Sequence, residues 1–222
     1  MADEIKTSVR QESYEINGEG STGRIRLNRR GELVGIDQYQ QWVADGRVFI
    51  ASPAARETAE AIGSTSFSDT DPALLLDVPS GTTAIPLEII LNQGGTVAGG
   101  NITLLITLSD KIRYSSGGVA ITPKNMRFDA PRSSTCRFYS GSTDIVANAN
   151  AEDLTLFAQN LVHDIDTLEG GNVQWTARKF IAPVLIGPAA IPIYAVAAST
   201  QPSFFYVVKW AEFDTTEVIV TS

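Results

Sequence analysis

The densest group of titratable side chains in the sequence surrounds its only histidine. His163 is followed by Asp164, Asp166 and Glu169 in the segment LVHDIDTLEG. A histidine beside carboxylates can bind a metal ion or act as a general base. On a strand, however, His163 and Ile165 would share one face and the two aspartates the other. With no second histidine and no partnered nucleophile, we expect a surface histidine here and no metal site.

Two aspartates in the segment SDTD, Asp69 and Asp71, resemble part of a calcium-binding loop. An EF-hand loop also needs a glycine and a terminal glutamate, and both are missing here. We therefore predict a solvated turn. The sequence leaves open a structural calcium ion between loops.

The single cysteine, Cys136, lies in the segment TCRFY. A thiolate nucleophile needs a histidine partner, and His163 is the only one in the chain. The sequence does not place the two together, so we predict a buried structural cysteine. One cysteine also excludes an intramolecular disulfide.

A basic strip precedes the most apolar part of the chain, in the segment RIRLNRR. Its members are Arg24, Arg26, Arg29 and Arg30. Arginine suits bidentate contacts with carboxylates or phosphates. The strip is either the charged face of a strand or a docking strip for an acidic neighbour, such as another copy of this acidic chain.

The segment SFFYVVKWAEF near the C-terminus predicts a strand that is apolar on both faces. Phe204, Tyr206, Val208 and Trp210 share one face, and Phe205, Val207, Lys209 and Ala211 share the other. One face would meet a core, and the other needs a cover. Core packing alone is one interpretation. A subunit interface is the other, with Phe204, Phe205, Tyr206 and Trp210 as its candidate residues.

Composition narrows the classes of function. The 222 residues include 25 acidic and 17 basic side chains, for a net charge of −8. We expect no nucleic-acid partner, because a phosphate backbone repels an acidic chain. The first twenty residues contain no signal-peptide pattern and few large apolar residues. We predict a mobile arm there, or an arm that orders on a neighbouring subunit.

No charged residue lies between Lys179 and Lys209. This run is long enough to cross a bilayer, but Pro183, Pro188 and Pro192 would break a helix three times. We therefore expect no membrane partner. The run predicts two short buried strands with a turn at Gly187-Pro188.

Most of the chain is patterned as short strands between glycine- and proline-rich turns. We predict strands at 24–28, 47–51, 73–78, 83–91, 101–108, 118–122, 125–129, 135–139, 173–181, 183–186, 191–197, 203–213 and 217–221. Pro86 within one of them indicates a bulge or a sheet edge. Helical signals are confined to 52–62 and 151–161, the latter with an apolar stripe.

These elements predict an all-β protein, a two-sheet antiparallel sandwich of the jelly-roll kind. We divide it into a flexible arm (1–22), a small β-containing attachment element (23–65) and the jelly-roll sandwich (66–222). The boundary between the last two falls near residues 64–72. The stretch GSTSFSDTDP there is small, polar and rich in turn residues, which is typical of a linker.

The arrangement resembles the jelly-roll structural proteins of tailed bacteriophages, of the capsid-associated or decoration type. The resemblance rests on TGRIRLNRRGELVGIDQYQQWVADGRVFIAS (22–52), TDPALLLDVPSGTTAIPLEIIL (70–91), NITLLITL (101–108) and FFYVVKWAEF (204–213). It implies a virion component without enzymatic activity or cofactor, assembled in the bacterial cytoplasm. It also implies a self-associating chain, expected as a homotrimer, that docks on other capsid proteins as a cement protein, decoration protein or capsid subunit. The basic strip is then a candidate capsid-docking strip.

Two other functions compete with this one. A carbohydrate- or receptor-binding jelly roll, as in a phage spike or lectin-like protein, would use exposed tryptophan or tyrosine side chains on one surface. A cupin-type enzyme would need several histidines at a metal ion, and the chain has one.

Overall fold

The computed structural model describes residues 37–55, 57–94, 100–129, 131–149, 155–164 and 172–218. In these residues it contains two short helices, α1 (Gln38–Ala44) and α2 (Thr215–Val218). The strands are β1 (Val48–Ala51), β2 (Glu60–Ala61), β3 (Leu74–Val78), β4 (Thr82–Gln93), β5 (Asn101–Leu108), β6 (Tyr114–Ile121), β7 (Lys124–Asn125), β8 (Arg137–Ala147), β9 (Thr155–Asp164), β10 (Asn172–Thr176), β11 (Leu185–Ile186), β12 (Ala189–Ala197) and β13 (Ser203–Asp214).

The strands form two antiparallel sheets that pack face to face. One has the order β10-β4-β13-β1-β7, with β11 added to β4 and β2 added to β13. The other has the order β6-β8-β3-β12-β5-β9. The prediction of an all-β, two-sheet antiparallel sandwich is confirmed.

The connectivity follows a jelly roll. Eight strands, β1, β3, β4, β5, β9, β10, β12 and β13, can be counted from first to eighth along the chain. The first pairs with the eighth, the second with the seventh, the third with the sixth and the fourth with the fifth. This is the pattern of one long hairpin wound around a sandwich. Strands β6 and β8, between the fourth and fifth, extend the second sheet beyond β3.

The domain boundaries differ from the predicted ones. By its internal contacts the chain divides into residues 1–41 and 42–222, and only 37–41 of the first unit are described. Strand β1 lies between β13 and β7 in the first sheet. The end of the predicted attachment element (23–65) is therefore part of the sandwich, because its apolar strand completes the sheet. The predicted arm (1–22) lies outside the described residues.

The stretch predicted as a linker is a strap on the sandwich, defined here as residues 63–72. Ser64 forms a parallel bridge with Val196 at the end of β12. Phe67 packs on Tyr194, with ring centroids 5.2 Å apart. Since Ile193 and Ala195 point into the core, Tyr194 and the part of the strap that packs on it lie on the outer face of the second sheet.

Two helix predictions and parts of the strand predictions are wrong in the described residues. Residues 126–129 and 177–181, predicted as the ends of strands, are turn or irregular structure. The second half of 151–161 lies in β9, which pairs with β5. Segment 52–62 contains the short strand β2 and no helix in its described part. Residues 217–218 end α2, where a strand was predicted. An apolar stripe is a local signal, and pairing with a distant strand overrides it.

Two glycines with nearly the same backbone angle test how closely the strap packs. Gly63 has φ +88° and a Cβ there would lie 2.2 Å from the carbonyl oxygen of Ala195, whereas Gly81 has φ +82° and open space around it. We expect Gly81→Ala to lower the free energy of unfolding by about 1–2 kcal/mol through the backbone angle alone. Gly63→Ala adds a steric cost of about 1–3 kcal/mol. Urea denaturation followed by tryptophan fluorescence measures both, and equal losses would contradict the close approach of the strap.

Candidate functional site

Several predicted site residues lie outside the described residues. These are the basic strip of Arg24, Arg26, Arg29 and Arg30, together with Asp166 and Glu169. The backbone of His163 lies in β9, where it pairs with Ile102 of β5. The docking role of the strip therefore stays a prediction.

Three of the four candidate interface residues belong to the core of the sandwich. Phe204, Tyr206 and Trp210 are each 1% exposed or less. Phe138 of the opposite sheet contacts two of them, with ring centroids 5.9 Å from Tyr206 and 6.1 Å from Trp210. They cannot form a subunit interface, because the facing sheet of the same chain already covers them. Phe205, on the outward row of β13, is half-buried.

A buried cluster of charged and polar groups fastens the strap to the second sheet. Arg113 is 1% exposed, and its Nη2 donates to the carbonyl oxygen of Asp69 at 3.1 Å. The same nitrogen lies 3.7 Å from the Asp69 carboxylate. The hydroxyl of Tyr194 donates to the same carbonyl at 2.8 Å. The strap is thus held by a guanidinium and a phenol that both converge on Asp69.

The loop that carries Arg113 is itself held by Asp77 of β3. The two carboxylate oxygens of Asp77 accept from the backbone N–H groups of Arg113 and Tyr114, each at 3.1 Å. Burial raises the pKa of Asp77, against the lowering effect of these N–H groups and of Arg137. Asp77 therefore acts as an acceptor that orders the chain beneath the strap.

The predicted turn is present at Asp69, but Asp69 and Asp71 are both partly buried, so it is less solvated than expected. Burial and the nearby charge of Asp144 raise the pKa of Asp71. In the ranges that the structure describes, no three carboxylate, histidine or cysteine side chains converge in a way that could hold a metal ion. The positive charge beside Asp69 comes from Arg113.

A second buried carboxylate, that of Glu212, lies near the C-terminal end of β13. Glu212 is fully buried and accepts from the indole Nε1 of Trp210 at 2.7 Å. It also accepts from the backbone N–H and the hydroxyl of Thr135, each at 2.9 Å, and from the hydroxyl of Ser134. These bonds tie the chain before β8 to the central strand of the first sheet. The sequence carried no signal for this network, because Thr135 and Glu212 are far apart in the chain.

Cys136 is buried beside this network, as predicted. Burial and the charge of Glu212 raise the pKa of its thiol far above the ordinary value. A thiol is a nucleophile only as its thiolate. Cys136 is therefore suited to packing and poorly suited to catalysis.

The tryptophans do not form a common surface. Trp175 and Trp210 are buried in the core. Trp42 packs edge-on against Phe213, with ring centroids 5.2 Å apart. A sugar-stacking platform made of all three is therefore excluded.

An exposed apolar segment leads into β11 of the first sheet, and we call it the apolar edge, residues 180–186. Phe180, Ile181, Val184 and Ile186 are all exposed, Ile181 to 96%. The strand predicted at 183–186 is reduced to β11, and the expectation that it is buried is wrong for Val184 and Ile186. The turn predicted at Gly187-Pro188 does follow β11.

A recess of about 510 Å³ lies beside the apolar edge. Its lining residues come from the end of β5 and the two residues after it, from the start of β9, from the chain just before β11, from β11 itself and from the start of β12: Leu108, Ser109, Asp110, Thr155, Pro183, Val184, Leu185, Ile186 and Ala189. Exposed apolar side chains and a recess thus occur together at one side of the sandwich. Sequence reasoning treated the whole uncharged run as buried and missed this surface.

Comparison with known proteins gives no assignment: no family model, no curated protein and no solved structure matches this chain. The helices in the described residues are also too short to cross a membrane.

Removal of the Glu212 carboxylate should be strongly destabilising. We expect Glu212→Ala to lower the free energy of unfolding by about 3–5 kcal/mol, because the N–H groups of Trp210 and Thr135 lose their buried acceptor. Glu217 is a matched control, since it is an exposed glutamate paired with Arg47. Glu217→Ala should cost less than about 1 kcal/mol. Denaturant titration measures both, and similar losses would contradict the structural role of Glu212.

The thiol of Cys136 should be unreactive in the folded protein. We expect a thiol-specific reagent such as DTNB to label it about 100-fold more slowly in buffer than in strong denaturant, because access and ionisation both require opening of the core. The chain has no other thiol, so the absorbance change reports on Cys136 alone. Rapid labelling of the folded protein would contradict its burial.

Proposed function

We propose that this chain is a non-enzymatic structural protein of a bacteriophage virion. In this proposal it self-associates, as a trimer, and docks on the capsid as a cement protein, decoration protein or capsid subunit. The jelly-roll connectivity supports the proposal by analogy of fold, as does the resemblance of its segments to such proteins.

The observation that carries the proposal is the apolar edge. Four large apolar side chains within seven residues are exposed in a single copy of the chain. Contiguous apolar surface of this kind is typical of protein association sites. The segment carries no charged residue, so it is suited to burial against another protein.

The buried charged groups support a mechanical role as well. Arg113 and Asp77 hold the strap and the chain below it, and Glu212 holds the chain before β8. Each is used to fix one part of the sandwich to another. Such contacts are in keeping with a structural role, because they fix loops to the two sheets.

Light scattering on the purified full-length chain tests self-association. At micromolar concentration we expect the mass of three chains, each of 23.8 kDa. Co-sedimentation with purified capsids of the parent phage tests docking. We expect the combined variant Arg24→Glu, Arg26→Glu, Arg29→Glu and Arg30→Glu to keep its mass and to lose sedimentation with capsids.

A stable monomer that does not bind capsids would overturn the proposal. Specific binding on a glycan array by such a monomer would favour the carbohydrate-binding alternative instead. Capsid binding that survives reversal of the basic strip would keep the function and move the docking surface elsewhere.

A further inference from the structure

The end of the strap lies alongside β8 between two backbone hydrogen bonds. The N–H of Ala147 donates to the carbonyl oxygen of Thr70 at 2.8 Å, and the N–H of Gly141 donates to that of Ala73, also at 2.8 Å. Fewer residues of the strap than of β8 lie between these two bonds, so β8 bulges at its centre. The pairing of β8 with β6 shows the same bulge as a shift in register. The two bonds therefore hold the strap against the bulge.

The bulge brings Asp144 of β8 towards Asp71 of the strap, since both residues lie between the two bonds. The backbone of Asp144 is left-handed, with φ +28°, a conformation that aspartate and asparagine adopt more readily than most side chains. Gly117 of β6 packs closely on it, because a Cβ there would lie 2.3 Å from the carbonyl oxygen of Asp144. The hairpin of β6 and β8 thus fixes the place of Asp144 in the chain.

Asp71 is half-buried in this contact, whereas Asp144 is exposed. Burial raises the pKa of Asp71, and the charge of Asp144 raises it further. Two carboxylates that act on each other in this way favour a state in which one of them is protonated. A proton on Asp71 therefore relieves both the burial of its charge and the repulsion.

Charged and titratable groups approach this contact from every element around it. They are Asp69 of the strap, Arg113 before β6, Asp77 of β3, Arg137 and Asp144 of β8, and Tyr194 of β12. The guanidinium of Arg113 lies 3.7 Å from the carboxylate of Asp69. Asp77 is faced by both arginines. The positive charges thus act at Asp69 and Asp77, and the charge that acts on Asp71 is that of Asp144.

We propose that Asp71 and Asp144 form a proton-operated catch, which holds the strap more tightly when Asp71 is protonated and loosens it when both side chains are charged. The proton removes the repulsion between the strap and β8. The catch controls access to the groups beneath the strap, Arg113 and Tyr194, which are each 1% exposed. This conformational device goes beyond the proposed function and does not depend on capsid binding.

The raised pKa of Asp71 gives the direction of the effect. An open strap returns Asp71 to solvent, where its pKa takes the ordinary value of 3.8. The stabilisation of the closed strap by the proton is therefore complete below pH 3.8, and it is lost as the pH rises through the raised pKa. Burial raises the pKa of Asp77 too, so a change of pH alone does not isolate the catch. The test must remove the charge of Asp144 alone.

Hydrogen exchange of the full-length chain, measured by mass spectrometry, tests the catch. Asp144→Asn loses the charge but still tolerates the left-handed backbone. At pH 7 we expect the amides of residues 64–70 to exchange about 2- to 5-fold more slowly in this variant than in the wild type, a modest factor because the exposed charge is screened. Towards pH 4 the two rates should converge, because Asp71 is then protonated in the wild type. Comparison of the two proteins at one pH cancels the intrinsic exchange rate.

Two further variants make the result specific. Asp71→Asn should slow exchange at pH 7 at least as much, and the addition of Asp144→Asn to it should change nothing more, because residue 71 then has no charge to repel. Asp129→Asn is the matched control. Asp129 is exposed and follows β7 at an edge of the first sheet, so this variant changes the net charge and should leave exchange in the strap unchanged. Circular dichroism checks that all variants are folded.

Three outcomes would overturn the catch. The first is a ratio of variant to wild-type exchange that is the same at pH 7 and pH 4, because a purely structural effect of Asp144 has no such pH dependence. The second is further slowing by Asp144→Asn in the Asp71→Asn background, since Asp144 then acts on another group. The third is equal slowing by Asp129→Asn, which shows an effect of net charge and not of the pair.

Discussion

Strand β13 is the central strand of the first sheet although it is the last strand in the described part of the chain. It pairs with β4 from Phe204 to Asp214 and with β1 from Val208 to Ala211. Both partners lie far earlier in the sequence, so their facing edges have no partner until the C-terminal segment inserts between them. The rest of the sandwich depends on that insertion, because the inward row of β13 fills the core beneath both neighbours. Such non-local pairing costs loop-closure entropy before it contributes stability.

The pairing of β13 with β4 also explains how a proline is tolerated in the middle of a sheet. The register shifts between Lys209 and Trp210, so that Lys209 lies opposite Glu88 and Trp210 lies opposite Pro86. Proline cannot donate a ladder hydrogen bond, and a bulge removes the need for one. Beyond the bulge, the inward row of β13 ends in Glu212. That carboxylate is stable inside the sandwich only because nearby N–H and hydroxyl groups surround it. The bulge sets the position of Glu212, and the chain before β8 supplies the Ser134 and Thr135 donors that this position requires.

The parts of this fold that the sequence predicts are those with local signals. Alternation and flanking glycines predict β5 at the residues where it occurs, and Pro86 indicates the irregularity where β4 pairs with β13. The parts that it misses are decided by distant partners. Nothing near Phe204 shows that the second sheet of the same chain, and not another subunit, covers its face. Small polar residues suggest a linker at 63–72, but the bond between Arg113 and the carbonyl of Asp69 fixes the segment to the sheet. The same limit applies to the site, since the recess joins the end of β5 to residues far later in the chain.

The uncharged run from residue 180 to 208 shows why composition alone does not locate a surface. Its central part forms β12, which lies between β3 and β5 and is buried along nearly its whole length. Its first part forms β11, which has a partner on only one side within the described residues, and its side chains reach solvent. The turn at Gly187-Pro188 separates the two parts, because it moves the chain from the first sheet to the second. Residues of one composition thus become core in a central strand and exposed surface at an edge. What distinguishes them is the number of strands that flank them, a property of topology and not of the residues themselves.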